Sequence, residues 1–163
     1  MGAPASIRLT VPGTLRHRAI AVRVVAEACR LVSRPDEGPA ARPEQLAAGY
    51  DLADPFDVAV VSAFAEVFNN IAIHAYQRRG SGDIELAITV ERDSLVVEIR
   101  DHGQPFDLGA VPAPELDSLP EGGMGIHIAR ALLDEVDYEP GPPNLWRLVK
   151  RLPMAAGRAS SAQ

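Results

Sequence analysis

The chain has 163 residues, 47% of them hydrophobic and 23% charged, the length of one domain with enough apolar side chains for a core, which excludes collagenous, coiled-coil and wholly disordered chains. With 22 acidic against 16 basic residues the formal charge is -6, so a phosphate backbone is repelled and nucleic acid is not expected as a partner. A lone cysteine, the lack of a basic-apolar leader pattern, and hydrophobic segments interrupted by Glu, Arg, Asn or Pro suit a cytoplasmic protein without a membrane partner.

Residues 6–11 (SIRLTV) alternate polar and apolar before Pro12 and Gly13, the pattern of a short edge strand. After Thr14, a natural N-cap, LRHRAIAVRVVAEACRLV predicts a helix with Leu15, Ala19, Val22, Ala26, Cys29 and Val32 on its buried stripe. Cys29 reads as an ordinary buried thiol, with no CxxC around it. Pro35, Gly38, Pro39, Pro43 and Gly49 make 34–50 a surface excursion. Asp54 followed by Pro55 starts a second helix, FDVAVVSAFAEVFNNIAIHAYQRR, so nearly uncharged up to Arg78 that it must be buried on most sides.

Gly80, Ser81 and Gly82 end that helix, and alternating runs at 83–91 and 94–100 form an antiparallel hairpin. Residues 101–121, rich in Gly and Pro, form a long loop; Gly122, Gly123, Met124 and Gly125 then open a short amphipathic helix, IHIARALLDEV. Strands at 137–139 and 144–152 follow, and the tail 154–163 is expected to be disordered. The order predicts a single α+β domain over 1–153, a two-layer sandwich with a mixed, mostly antiparallel β-sheet and helices on one face.

Three constellations could carry chemistry. Glu66, Asn70 and His74 recur every four residues on the apolar helix, with Asn69 beside them. An unpaired buried amide costs about 1 to 3 kcal/mol, so a partner must meet this stripe unless it faces solvent. His74 alone suits a helix-end histidine. Asp101-His102-Gly103 follows a strand, where a carboxylate can accept from an exocyclic amine and glycine admits a flat ring, although DxG is also a common turn. The glycines at 122–125 open a helix whose free N–H groups suit a phosphate, or serve only as a flexible junction; they match neither a Walker A nor a Rossmann fingerprint.

In this order, ExxxN, DxG and GGxG resemble the nucleotide site of the GHKL ATPase and kinase superfamily, whose fold is the Bergerat-type ATP-binding sandwich. AEVFNNIAIHAY, DHGQPFD, EGGMGIHIARALLDEVDY and NLWRLVKRL are similar to the anti-sigma-factor serine/threonine kinases, over roughly residues 6–152. The resemblance implies ATP and Mg2+, with Glu66 as catalytic base and Asn70 as magnesium ligand. It also implies a nucleotide pocket drawn from Asn69, Asn70, Asp101, Gly103, Phe106, Gly122, Gly123, Met124 and Gly125, with 104–121 as lid.

Its implied partners are a small antagonist protein, phosphorylated on serine or threonine in bacterial partner switching, and a sigma factor. The alternative is a non-catalytic, ATP-gated module that sequesters a sigma factor or other regulator. An isolated histidine-kinase catalytic domain is disfavoured, since His17 lacks the helical hairpin of a phospho-accepting histidine. The oligomeric state stays open, a homodimer included. One departure stands out: no Lys or Arg lies between Asp101 and Ala129, so the lid offers no cation to a terminal phosphate.

Overall fold

The protein is described by a computed structural model over residues 5–33, 54–76, 82–107 and 124–153. The expected excursion, most of the lid, Gly122, Gly123 and the tail lie outside the described residues. The elements are β1 (Ala5–Pro12), a 3-10 turn (Leu15–His17), α1 (Arg18–Ser33), α2 (Pro55–Asn70), a π-helical turn (Ile71–Ala75), β2 (Asp83–Val90), β3 (Ser94–Asp101), α3 (Met124–Leu132), β4 (Glu135–Glu139) and β5 (Asn144–Arg151).

The strands pair in the order β1-β2-β3-β5-β4, with β1 at an edge as expected. The pairings between described strands are antiparallel throughout, so the sheet has no mixed part. One face carries Ile84, Leu86, Ile88, Val97, Ile99, Trp146 and Leu148, which form the core with the helices. The other bears charges: Arg147 pairs with Glu135 at 2.7 Å and Asp137 at 3.6 Å, and Arg100 with Glu98 at 3.0 Å. Such half-exposed pairs add only about 0.2–1 kcal/mol each; burial of the apolar face holds the layers together.

Asp54 caps α2 through its carboxylate, which accepts from Phe56 N at 2.8 Å and Asp57 N at 3.4 Å, and Pro55 occupies the first turn. Phe64 and Phe68 are fully buried, and α2 packs against both α1 and α3. Pro55–Ala75 is long and apolar enough by length and composition to pass as a membrane span, with an 18-residue window of mean hydropathy 1.5, but 61% of that window is buried inside the fold, as in a core helix.

The buried stripe of α1 differs from expectation. Ala26, Cys29 and Val32 are buried, but their companions are Ala21, Val25 and Ala28, while Leu15 is 53% exposed and Ala19 faces outward. Leu15 belongs to the 3-10 turn, whose period of about 3.0 residues shifts the face relative to a helix of 3.6. Burial pushes the Cys29 thiol well above its usual pKa, consistent with an unreactive core residue. The later elements also move: α3 ends at Leu132, so Glu135 and Val136 join β4 rather than the helix.

Candidate functional site

Past Asn70 the α-helical ladder loosens into the π-turn, and the segment leaving β3 packs against it. Gln104 N donates to the Ala75 carbonyl at 2.8 Å. A Cβ on Gly103 would lie 2.5 Å from Ala75 Cβ and 2.6 Å from that carbonyl oxygen, so only glycine fits this approach. The Tyr76 hydroxyl donates to the Asp83 carbonyl at 2.7 Å and accepts from His102 N at 3.2 Å, tying the end of α2 to two strands.

Asp101 ends β3 opposite Asn144 of β5 and is 1% exposed. Its Oδ1 accepts from Gly103 N at 2.9 Å and from Asn144 Nδ2 at 2.9 Å. Asn144 also donates to the Gly103 carbonyl at 3.1 Å and accepts from Gly141 N at 3.0 Å, so its amide is fully engaged. No described residue bonds to Asp101 Oδ2. Burial holds this carboxyl above its usual pKa, opposed by the hydrogen bonds from Asn144 and Gly103.

Asp101 lines a cavity of about 160 Å³ with Asn70, His74, Phe106, Tyr138 and Trp146. The Tyr138 hydroxyl accepts from Phe106 N at 2.6 Å, and its ring lies 4.3 Å from that of Trp146 between centroids. Phe106 stands 6.0 Å from Trp146. A buried acceptor beside an aromatic wall suits a flat heteroaromatic ring bearing an N–H donor.

On α2, Asn70 Nδ2 and Asn69 Oδ1 are buried without a hydrogen-bond partner among the described residues. Asn70 lines the Asp101 cavity, and its side-chain amide oxygen is a hard donor for a cation there. Among the described residues no group of three or more His, Cys, Asp or Glu could hold a metal, so a cation here would take one amide oxygen and complete its shell from phosphate and water. That donor set fits magnesium.

Glu66 is half-buried and meets the start of α3: a Cβ on Gly125 would lie 2.5 Å from Glu66 Oε2 and 3.1 Å from Glu66 Cβ. Glu66 does not line the Asp101 cavity. It lines another of about 560 Å³ with Arg18, Ser62 and Ile128, so the polar stripe is divided between two spaces. His74 is exposed and lines the first. Met124, 38% exposed, lines neither.

Residues 11–149 match the model of a family described as the histidine kinase-like ATPase domain. The chain belongs to that family. Within the histidine kinase-like ATPase domain, it is 33% identical over 99 residues to the serine-protein kinase RsbW of Bacillus velezensis, a match covering 56% of this chain and 61% of that protein. It is 28% identical over 87 residues to the anti-sigma F factor of Bacillus licheniformis, covering 51% and 60% respectively. The chain thus spans about three-fifths of the length of these relatives. A structure of the RsbU and RsbW domains of Rv1364c from Mycobacterium tuberculosis shares the fold at 22% identity and a TM-score of 0.52, covering 91% of this chain and 32% of that one.

Of the residues singled out in the sequence, the structure brings Asn70, Asp101 and Phe106 to one cavity, packs Gly103 on Ala75 and sets Glu66 against Gly125, and it adds Tyr138, Asn144 and Trp146, which the sequence reading had given no role. Tyr138 and Trp146 sit at inward positions of alternating strands, where periodicity signals core and cannot distinguish a cavity wall. Asn144, a polar residue at an inward strand position, was the readable signal, since such an amide needs a partner.

Proposed function

We propose that this chain binds magnesium-ATP and transfers its terminal phosphoryl group to a serine or threonine of a small antagonist protein, acting as an anti-sigma-type switch kinase. The single observation that carries this reading is the buried Asp101 carboxylate, with one oxygen held by Gly103 and Asn144 and the other free beside an aromatic wall. That oxygen accepts from the adenine amine; guanine presents a carbonyl there and is rejected.

Asn69 and Asn70 supply the polar atoms for the metal and its waters, with Asn70 as the direct ligand. Magnesium, when bound, neutralises phosphate charge. The backbone N–H of Gly125 meets the phosphates as α3 begins, and Gly122, Gly123 and Met124 are proposed with it on the sequence motif alone. Glu66, against Gly125, takes the proton from the acceptor hydroxyl as its oxygen bonds to phosphorus and the bond to the β-phosphate oxygen breaks, releasing ADP. The names of the relatives, a serine-protein kinase and an anti-sigma factor, support this class of reaction and a sigma factor as the second partner.

The absence of Lys and Arg between Asp101 and Ala129 favours keeping a second reading, an ATP-gated binder without transfer. Incubation with magnesium and ATP labelled at the terminal phosphate, followed by capture from a lysate of the source cells, separates them. Label on serine or threonine of a captured protein supports the kinase. Stoichiometric capture without label supports the binder, and failure to retain nucleotide rejects both.

A further inference from the structure

We infer that Arg18, at the start of α1, supplies the cation for the terminal phosphate that the lid cannot provide. The inference rests on the nucleotide reading above and adds a residue from a different part of the chain. Among the described residues, neither cavity lining the α2 polar stripe contains a Lys or Arg apart from Arg18 in the second. Among the described residues Arg18 has no ion-pair or side-chain hydrogen-bond partner, and its Nε is buried. Burying part of a guanidinium without an acceptor is costly, and at the first residue of α1 the cation opposes the helix dipole rather than gaining from it. Arg18 therefore gains little from its own surroundings and suits an anionic ligand.

The same cavity fixes which anion. Glu66 lines it with Arg18, yet the two carry no ion pair at 4.0 Å or less, so a space separates opposite charges. Gly125 lies against Glu66, placing the phosphate-facing start of α3 at this edge of the cavity. Asn70, one turn beyond Glu66 on α2, lines the cavity that holds Asp101. A nucleotide with its base at Asp101 and its metal-bound phosphates at Asn70 directs its last phosphate towards Glu66. That phosphate and the Glu66 carboxylate repel unless a cation lies between them, and the guanidinium of Arg18 can donate to phosphate in a forked geometry. With the third phosphate at this end of the nucleotide, Arg18 distinguishes ATP from ADP.

Calorimetry of the full chain with magnesium and either ADP or a non-hydrolysable ATP analogue tests this. The wild type should prefer the triphosphate, and Arg18→Gln, which keeps much of the side-chain stem, should lose roughly 10- to 100-fold of that preference, the scale of a charge-assisted contact, with ADP affinity within about two-fold. Arg18→Lys should retain part of the preference, and covers the case in which the glutamine variant does not fold. A melting curve without ligand checks folding. An unchanged ratio in a folded variant, or a wild type without triphosphate preference, overturns the role of Arg18 while leaving the nucleotide site standing. A wild type that binds neither nucleotide overturns the nucleotide reading itself.

Discussion

Replacing Asp101 by asparagine separates the structural task of this carboxylate from its binding task. Oδ1 takes both intramolecular hydrogen bonds, each at 2.9 Å, and the carbonyl oxygen of an asparagine can accept both in place. The two bonds lose charge assistance, from about 1.5–3 to about 0.5–1.5 kcal/mol each, while the cost of burying a charge disappears; these terms offset, leaving stability at pH 7 within about 1 kcal/mol. The cavity-facing atom changes from acceptor to NH2 donor, opposite the donor of adenine. Losing one charge-assisted hydrogen bond of about 1.5–3 kcal/mol weakens ATP binding roughly 10- to 150-fold.

The pH dependence gives a second signature. Because burial raises the Asp101 pKa above 3.8, the fold favours the protonated carboxyl. Its stabilising contribution is complete below that ordinary value and is lost as pH rises through the raised one, whereas ATP affinity grows over the same window as the acceptor ionises. Asp101→Asn should abolish both trends. Calorimetry with ATP and GTP, paired with thermal melts across this window, measures them. A folded Asp101→Asn variant with wild-type ATP affinity would refute the assignment.

The two packed glycines should fail differently. In Gly103→Ala the new Cβ meets Ala75 backbone at 2.6 Å, so a loss of about 1–3 kcal/mol is expected in denaturant titration. In Gly125→Ala it meets the far end of Glu66 at 2.5 Å, which can swing away, and Glu66 Cβ at 3.1 Å, so a smaller loss of about 1 kcal/mol is expected while phosphoryl transfer falls at least about tenfold in a single-turnover assay. Asn70→Ala should remove most of the magnesium-dependent gain in ATP affinity, at least about tenfold, leaving metal-free nucleotide binding little changed by calorimetry. Trp146, the single tryptophan, is 2% exposed and lines the Asp101 cavity, so its fluorescence should change saturably with ATP in the wild type and need about tenfold or more additional nucleotide in Asp101→Asn.

Local signals carried much of the architecture. Asp54 and Pro55 mark the start of α2, and the alternating runs around Arg92 and Asp93 mark the β2–β3 hairpin, because capping and strand pairing depend on neighbours in the chain. The face of α1 was misjudged because apolar spacing at 15–32 does not reveal that residues 15–17 wind as a 3-10 turn. The π-turn left no pattern either: IAIHA reads as a continuation of α2, yet its loosened ladder offers the Ala75 carbonyl to Gln104. Within the site, Asp101 and Gly103 were legible as a strand-end motif. The pairing of Asp101 with Asn144 and the shared cavity of Glu66 and Arg18 were not, since each joins residues more than 40 positions apart through the register of β3 with β5 or the packing of α1 on α2.

The most direct test of a phosphoryl-transfer role is single-turnover transfer from terminally labelled ATP to the captured acceptor, comparing wild type with Glu66→Gln. Glutamine keeps nearly the same volume and can still hydrogen-bond, but cannot accept the hydroxyl proton. Transfer to serine or threonine by the wild type, a rate lower by roughly 10² or more in the variant, and ATP affinities within a few-fold are the expected result. Equal rates for the two proteins would contradict the role of Glu66, and no transfer by wild-type protein with ATP bound and acceptor captured would contradict the kinase.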